Sequence, residues 1–330
     1  DEINLKDVEI KNIYKSNQPI KIGNLKGNKF DINIRDIGKE INDKDIKKIV
    51  NFFNKKKGFP NFFGIQRFGI IRPITHIVGK NIINGDIKKA VMTYIGNPAE
   101  GEENEIFNAR KKFEKTNDYE WALNNYPDKL NFEKAMLNKL VANPDDFVSA
   151  LKELPNNLLT MFIYSYQSFL FNKILSSRIR NNIPINEAVM GDIILPVRKN
   201  TIQKEYIEVN EKNIKKINLQ ISKEKAFVSE ILFGTDSVFS KGEIGEIQHK
   251  VIESEKIDKR DFIIPEIPFI SSYGSRRAIF AKIGNLKYKF LKDDLNNNKK
   301  ILNLKFELRK GCYATSLLRE FMKADDIRNY

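Results

Sequence analysis

The sequence predicts an α+β fold, and three observations carry that expectation. Residues 302–308 alternate, with Leu302, Leu304, Phe306 and Leu308 apolar and Asn303, Lys305 and Glu307 polar. That is the period of a half-buried strand. Residues 159–174 instead put Leu159, Phe162, Ile163, Tyr166, Leu170 and Ile174 on one face of a long helix. Residues 190–280 change character again. Short apolar runs at 192–197 and 262–270, read as strands, alternate with turns rich in glycine and proline, which suggests a separate lobe.

Taken in order, Val8, Ile10 and Ile13 already read as structured sequence. Residues 20–37 read as a hairpin. Gly23-Asn24 and Gly27-Asn28 are turn signals, and Phe30, Ile32 and Ile34 alternate with Asp31, Asn33 and Arg35. A helix is expected from about Asp43, because Ile46, Ile49, Val50 and Phe53 fall at i, i+3, i+4 and i+7; Lys55-Lys56-Lys57-Gly58 ends it. Residues 80–150 are helical and polar, with one stripe at Ile87, Ala90, Val91 and Tyr94 and another at Ala135, Leu137, Leu140 and Val141. Pro155 suits the start of the long helix. Gly311 breaks the last strand, and Ala314, Leu317, Leu318 and Phe321 mark a short closing helix.

Charge and composition narrow the function. The 330 residues carry a formal net charge of +14, and the isoelectric point is near 9.5. A long polyanion is the natural partner of such a chain, because Lys and Arg displace counterions condensed on phosphates. One cysteine, Cys312, allows no intrachain disulfide. With two histidines, His76 and His249, a zinc site of four cysteines, or of two cysteines and two histidines, cannot be built. Catalysis is therefore expected to run on carboxylates. The acidic pairs Glu102-Glu103, Asp293-Asp294 and Asp325-Asp326 lack ligand spacing, so no metal is expected. The longest apolar-rich stretch, residues 158–171, is interrupted by Thr160, Ser165, Gln167 and Ser168. It falls short of the ~20 residues of a bilayer span. No membrane is expected, and a cytoplasmic location fits.

The most informative run is Pro60-Asn61-Phe62-Phe63-Gly64-Ile65-Gln66-Arg67-Phe68-Gly69. It has neither helical nor strand periodicity. Glycines allow close backbone approach, aromatics offer flat faces, and Asn, Gln and Arg offer directional hydrogen bonds. In a basic protein this combination suggests a loop that holds a nucleobase.

The same run resembles the Asn-Tyr/Phe-Phe/Tyr-Gly-x-Gln-Arg-Phe-Gly signature of the TruD family of tRNA pseudouridine synthases. Four further stretches agree in order and spacing: Lys21-Ile-Gly-Asn-Leu-Lys-Gly-Asn28, Arg72-Pro-Ile-Thr-His-Ile-Val-Gly79, Tyr166-Gln-Ser-Phe-Leu-Phe-Asn172 and Lys310-Gly-Cys-Tyr-Ala-Thr-Ser-Leu-Leu-Arg-Glu-Phe321. The second is similar to the archaeal and eukaryotic branch. The resemblance implies a pseudouridine synthase fold with a mixed, largely antiparallel sheet. Residues 1–87 and 288–330 would form the catalytic domain, incomplete at its N-terminus, and residues 88–287 a large α/β TRUD insertion domain. It implies isomerisation of a tRNA uridine (uridine 13, or in this branch also uridine 35) by base flipping into a pocket that needs no cofactor and no metal, in a monomer. The family's nucleophilic Asp lies in a Gly-x-Lys-Asp-x-x-Ala-x-Thr-x-Gln motif. Lys6-Asp7, Lys44-Asp45 and Lys292-Asp293 do not fit it, so the Asp is expected upstream of Asp1.

Within the signature, Phe63 is the candidate to stack on the flipped uracil. A core phenylalanine is the alternative, and Phe62 and Phe68 read as core. Asn61 suits a uracil edge or the nucleophile's carboxylate, or else its own turn. Gln66 reads as a buttress and Arg67 as a phosphate contact or salt bridge. Gly311 and Tyr313 would line the same pocket at the last strand–helix corner, with packing as the alternative for Tyr313. His76 reads as a packed structural residue and His249 as a surface one. Lys55–Lys57, Arg276-Arg277, residues 287–292, Lys299-Lys300 and Arg309-Lys310 together suggest a phosphate track. Two other readings stand beside the enzyme: an RNA-binding module without catalysis, and a metal-dependent nuclease.

Overall fold

The computed structural model describes residues 14–323, apart from 18, 22–24, 199, 200 and 204. Val8, Ile10, Ile13, Gly23-Asn24 and Asp325-Asp326 lie outside the described residues. The strands are β1 (Gly27–Ile37), β2 (Gly58–Pro60), β3 (Ile193–Arg198), β4 (Thr201–Ile202), β5 (Ile207–Glu208), β6 (Ala226–Leu232), β7 (Ser275–Ala278), β8 (Phe280–Lys282), β9 (Gly284–Lys292) and β10 (Lys300–Arg309). The helices are α1 (Asp43–Lys56), α2 (Thr75–Ile83), α3 (Ile87–Ile95), α4 (Asn104–Thr116), α5 (Tyr119–Asn125), α6 (Asn131–Ala142), α7 (Phe147–Lys152), α8 (Asn156–Arg180), α9 (Ile214–Ser222), α10 (Gly242–Glu255) and α11 (Ala314–Met322). The fold is α+β, with every strand pairing antiparallel.

β1, β10 and β9 form one three-stranded sheet in that order. The alternation read in 302–308 puts Leu302, Leu304, Phe306 and Leu308 into a core with Ile46, Val50 and Phe53 of α1 and Leu317, Leu318 and Phe321 of α11. Phe30, Ile32 and Ile34 pack against it from β1. α1 starts with a capping box at Asn42, whose side chain accepts from the Lys44 amide while Asp45 reaches back to the Asn42 amide. Lys55 and Lys56 then sit at the negative end of its dipole.

Two expectations need correction. Among the described residues of 20–37 no hairpin forms: β1 pairs instead with β10, Phe30 opposite Phe306. Gly27 and Asn28, read as a turn, are ladder positions opposite Arg309 and Leu308. The long-range pairing buries Phe30, Ile32 and Ile34 against a ready-made apolar face, which a local hairpin does not offer. Residues 262–270 form no strand either. Two 3-10 turns, Arg260–Phe262 and Pro268–Ile270, replace it. Pro265 and Pro268 lack the amides that a ladder needs.

A second core runs from Ile74 through the helices to Ile270. Its centre is α8, where Leu159, Phe162, Ile163, Tyr166, Leu170 and Ile174 are all buried. A third, smaller cluster lies where the two meet. Phe63, Phe171 and Leu175 pack there with Ile194 and Val228 of the second sheet (β4-β3-β6-β7, with β5 beside β3) and with Ile279, between β7 and β8. The β2–β8 pair joins the regions, Phe59 opposite Ala281.

Candidate active site

The loop after β2 is built by its backbone. The Asn61 amide donates to Ile279 O at 2.8 Å, Ile65–Arg67 make one 3-10 turn, and Gly69 reverses the chain at φ +102°. A side chain at Gly69 would meet Arg72 O at 2.1 Å, so only glycine fits. Asn172 of α8 brackets Phe63: its Oδ1 accepts the Phe63 amide at 2.9 Å, and its Nδ2 donates to the Phe63 carbonyl at 3.1 Å. The Asn in Tyr166-Gln-Ser-Phe-Leu-Phe-Asn172 thus fixes the aromatic in Pro60–Gly69.

Phe63 is 7% exposed. It lines a cleft of about 630 Å³ together with Asn61, Arg67, Arg277 and Gly311. The Phe171 ring meets its edge at 5.4 Å and the Tyr313 ring lies 5.8 Å away, tilted. The Arg277 guanidinium carbon sits 4.0 Å from the Phe63 ring centre, and that of Arg67 lies at 5.3 Å. A flat cation therefore covers the ring at the spacing of a stacked base.

The other candidates arrange themselves around this stack. Asn61, 4% exposed, donates to Ala278 O at 2.8 Å and accepts from Arg277 Nη2 at 2.9 Å. Its amide is engaged at both ends within the protein, and it aims Arg277. Gln66 accepts from Thr315 of α11 at 2.9 Å. Gly311, at φ +81°, turns β10 into α11 beside Arg277. Tyr313 caps the start of α11 and packs in the third cluster rather than on the cleft wall. His76 stacks on Phe169 at 4.9 Å with Phe68 at its edge, and burial holds its pKa down to about 4 against the pull of Glu255. His249 is exposed and stacks on Phe239.

The electrostatics of the cleft are one-sided. Arg67, Arg276, Arg277, Lys282, Arg309 and Lys310 line it, and among the described residues no Asp or Glu does. The Nε atoms of Arg67 and Arg277 are buried without a hydrogen-bond partner. Burial lowers the Arg277 pKa to about 10, and the charge of Arg67 pushes the same way against Cys312 and Tyr313. A donor withdrawn from water and left unpaired carries a desolvation cost that the fold does not offset. Lys55, Lys56 and Lys57 line a neighbouring cleft that shares Lys282 with the first. Lys287, Lys289, Lys299 and Lys300 line neither. Sequence reading left Arg277 in a generic basic pair and Asn172 unassigned. The strand period, which sends Arg276 and Arg277 to opposite faces, is the signal that distinguishes the first.

Comparison with known proteins decides the family. The model of the family described as "tRNA pseudouridine synthase D (TruD)" matches residues 1–321. The chain belongs to the TruD family. A Methanosarcina barkeri relative named "Probable tRNA pseudouridine synthase D" is 39% identical over 99% of this chain and 76% of its own length. A Thermococcus sibiricus protein of the same name is 36% identical over 97% of this chain and 74% of its own. A crystal structure of a TruD protein from Methanosarcina mazei superposes with a TM-score of 0.89 at 37% identity, covering 99% of this chain and 75% of that one. The TruD fold is thus the fold seen here, and the enzyme class is that of a tRNA pseudouridine synthase, an isomerase. Among the described residues no helix is long and apolar enough to cross a membrane, and no three His, Cys, Asp or Glu side chains gather as a metal site.

Proposed function

We propose that this protein converts one uridine of tRNA to pseudouridine in the cleft around Phe63, without a cofactor. The observation that carries the reading is the guanidinium of Arg277 lying 4.0 Å over the Phe63 ring, in a cleft lined by six cations. The C1′–N1 bond breaks, the uracil turns, and C5 bonds to C1′. C5 gives up its proton and N1 gains one, so the reaction is an isomerisation. The base must first leave its stack, at a cost of a few kcal/mol. An aromatic platform offsets about 1–3 kcal/mol of this and keeps the detached uracil near the sugar.

In this reading Arg277 yields the Phe63 face to the entering uracil. Its open Nε, with that of Arg67, then meets phosphate. Asn61 positions Arg277, and Gly311 and Tyr313 form the corner behind it. The nucleophile in this reading is the Asp of the family motif. Residues 1–87 and 288–330 act as the catalytic domain and 88–287 as the insertion domain, with the RNA between them. The protein works as a monomer in the cytoplasm, on uridine 13 or uridine 35.

Mapping pseudouridine in tRNA from cells with and without the gene tests the reaction. Loss at one uridine supports it and names the position; an unchanged pattern sinks it. Phe63→Leu, which keeps apolar bulk but loses the flat face, is expected to cut pseudouridine formation roughly tenfold. Unchanged activity removes Phe63 from the site.

A further inference from the structure

The cleft has an aromatic rim that the reaction around Phe63 does not use. Tyr273 is 75% exposed and Tyr164 of α8 is 49% exposed, and both line the same cleft as Phe63. Covering such a ring removes apolar surface from water, so an exposed aromatic in a cleft is a favourable place for a flat ligand to stack.

The segment that carries Tyr273 is tied down on every side. The Ser272 carbonyl accepts the Thr235 amide at 3.1 Å, and the Tyr273 carbonyl accepts the Asp236 amide at 2.9 Å. The Ser272 amide donates to Phe262 O at 3.0 Å. Gln167, from the buried side of α8, donates to Ser272 Oγ at 2.9 Å and to Phe233 O at 2.6 Å. Gly274 follows at φ +83°, where a side chain would meet Leu232 O and Ser237 Oγ at 2.7 Å. The backbone around Tyr273 is therefore fixed, while its side chain has no hydrogen bond or ring partner among the described residues. A ring presented by a fixed backbone, with few rotatable bonds of its own, loses little entropy when a ligand covers it.

What would cover it follows from the charge around it. The adjoining wall carries Arg276, Arg277, Arg309 and Lys310 and no described carboxylate. Exposed aromatics beside a basic groove are the means by which unpaired RNA is held: bases stack on the rings while cations track the phosphates. We propose that Tyr273, with Tyr164 lining the same cleft, is a second stacking platform that receives an unpaired nucleotide flanking the target uridine. This rests on the reading of the cleft as an RNA site. It adds a positioning role: the flanking base, gripped at the rim, sets which uridine reaches Phe63.

The test uses the purified full chain and short single-stranded, uridine-rich RNAs with 2-aminopurine at successive positions. Stacking on a tyrosine quenches the fluorophore. Quenching at one position is expected with the native protein, kept in Tyr273→Phe and Tyr273→Trp, and lost in Tyr273→Ala. Affinity in Tyr273→Ala should fall roughly fivefold or more. Thermal melting should be unchanged, because the ring is exposed. Quenching that survives Tyr273→Ala overturns the platform while leaving the RNA cleft intact. Native protein that binds neither the oligonucleotides nor tRNA overturns the underlying reading, and the platform falls with it.

Discussion

Arg110 and Arg277 are both arginines drawn away from water, Arg110 fully and Arg277 in part, and their partners differ. Arg110, in the helical region, is 2% exposed along its side chain and meets Glu102 at 3.1 Å and Glu133 at 2.7 Å. It also donates to the carbonyls of Tyr94 and Ile95 at the end of α3. Arg72 shares both carboxylates and caps the same helix end through Tyr94 and Gly96. Every charge there is answered within the fold. Arg277, half-buried, has the Asn61 amide and an aromatic face, but among the described residues no carboxylate and no partner for its Nε. Arg110 is saturated within the fold, and Arg277 keeps a donor to spare.

Breaking the saturated side has the largest expected effect. Arg110→Ala leaves Glu102 and Glu133 buried with one cation fewer, and is expected to cost about 3–5 kcal/mol. Chemical denaturation reads it, with RNA affinity per folded molecule unchanged. A loss under about 1 kcal/mol, the scale of an exposed pair, would remove the contrast.

The open side should respond in binding rather than stability. Arg277→Gln is expected to reduce the slope of log affinity for RNA against log salt by about 0.7–0.9, the share of one phosphate contact. An arginine outside the cleft gives the internal control. Arg178 pairs at two points with Asp192. Arg178→Gln should lower stability and leave the slope alone. Equal slopes for both variants would mean that Arg277 is structural as well.

The smallest effect concerns His76, a ring packed between aromatics. Burial lowers its pKa to about 4 from an ordinary 6.5. As pH falls through that window the unfolded chain takes up a proton that the native state refuses, so stability declines between pH 6.5 and 4. Thermal melting of His76→Phe over this range should show a flatter decline than the native protein.

The parts of the fold legible in sequence were those whose period reflects one buried face. The alternation at 302–308 and the stripe at 159–174 each name their own core side chains. The failures came where partners are distant. Gly27-Asn28 carries local turn chemistry, yet its strand pairs with residues some 280 positions away. Residues 262–270 are apolar enough for a strand, yet prolines deny them the ladder. At the site, the signature picks out the loop around Phe63. It cannot reveal that Arg277 lies on that ring, because the two are far apart in the chain and the contact depends on which face of β7 is which.

Asn172 holds both backbone groups of Phe63 from a helix 25 residues long, about 37 Å at 1.5 Å per residue. The same helix carries Tyr164 at the rim, Gln167 beneath it and Arg178 in a two-point pair with Asp192. The Phe63 ring and that side of the entrance therefore ride on a single stiff beam. The spacing between that rim and the Phe63 ring is thus set by the length of one helix, not by the loops that join the strands.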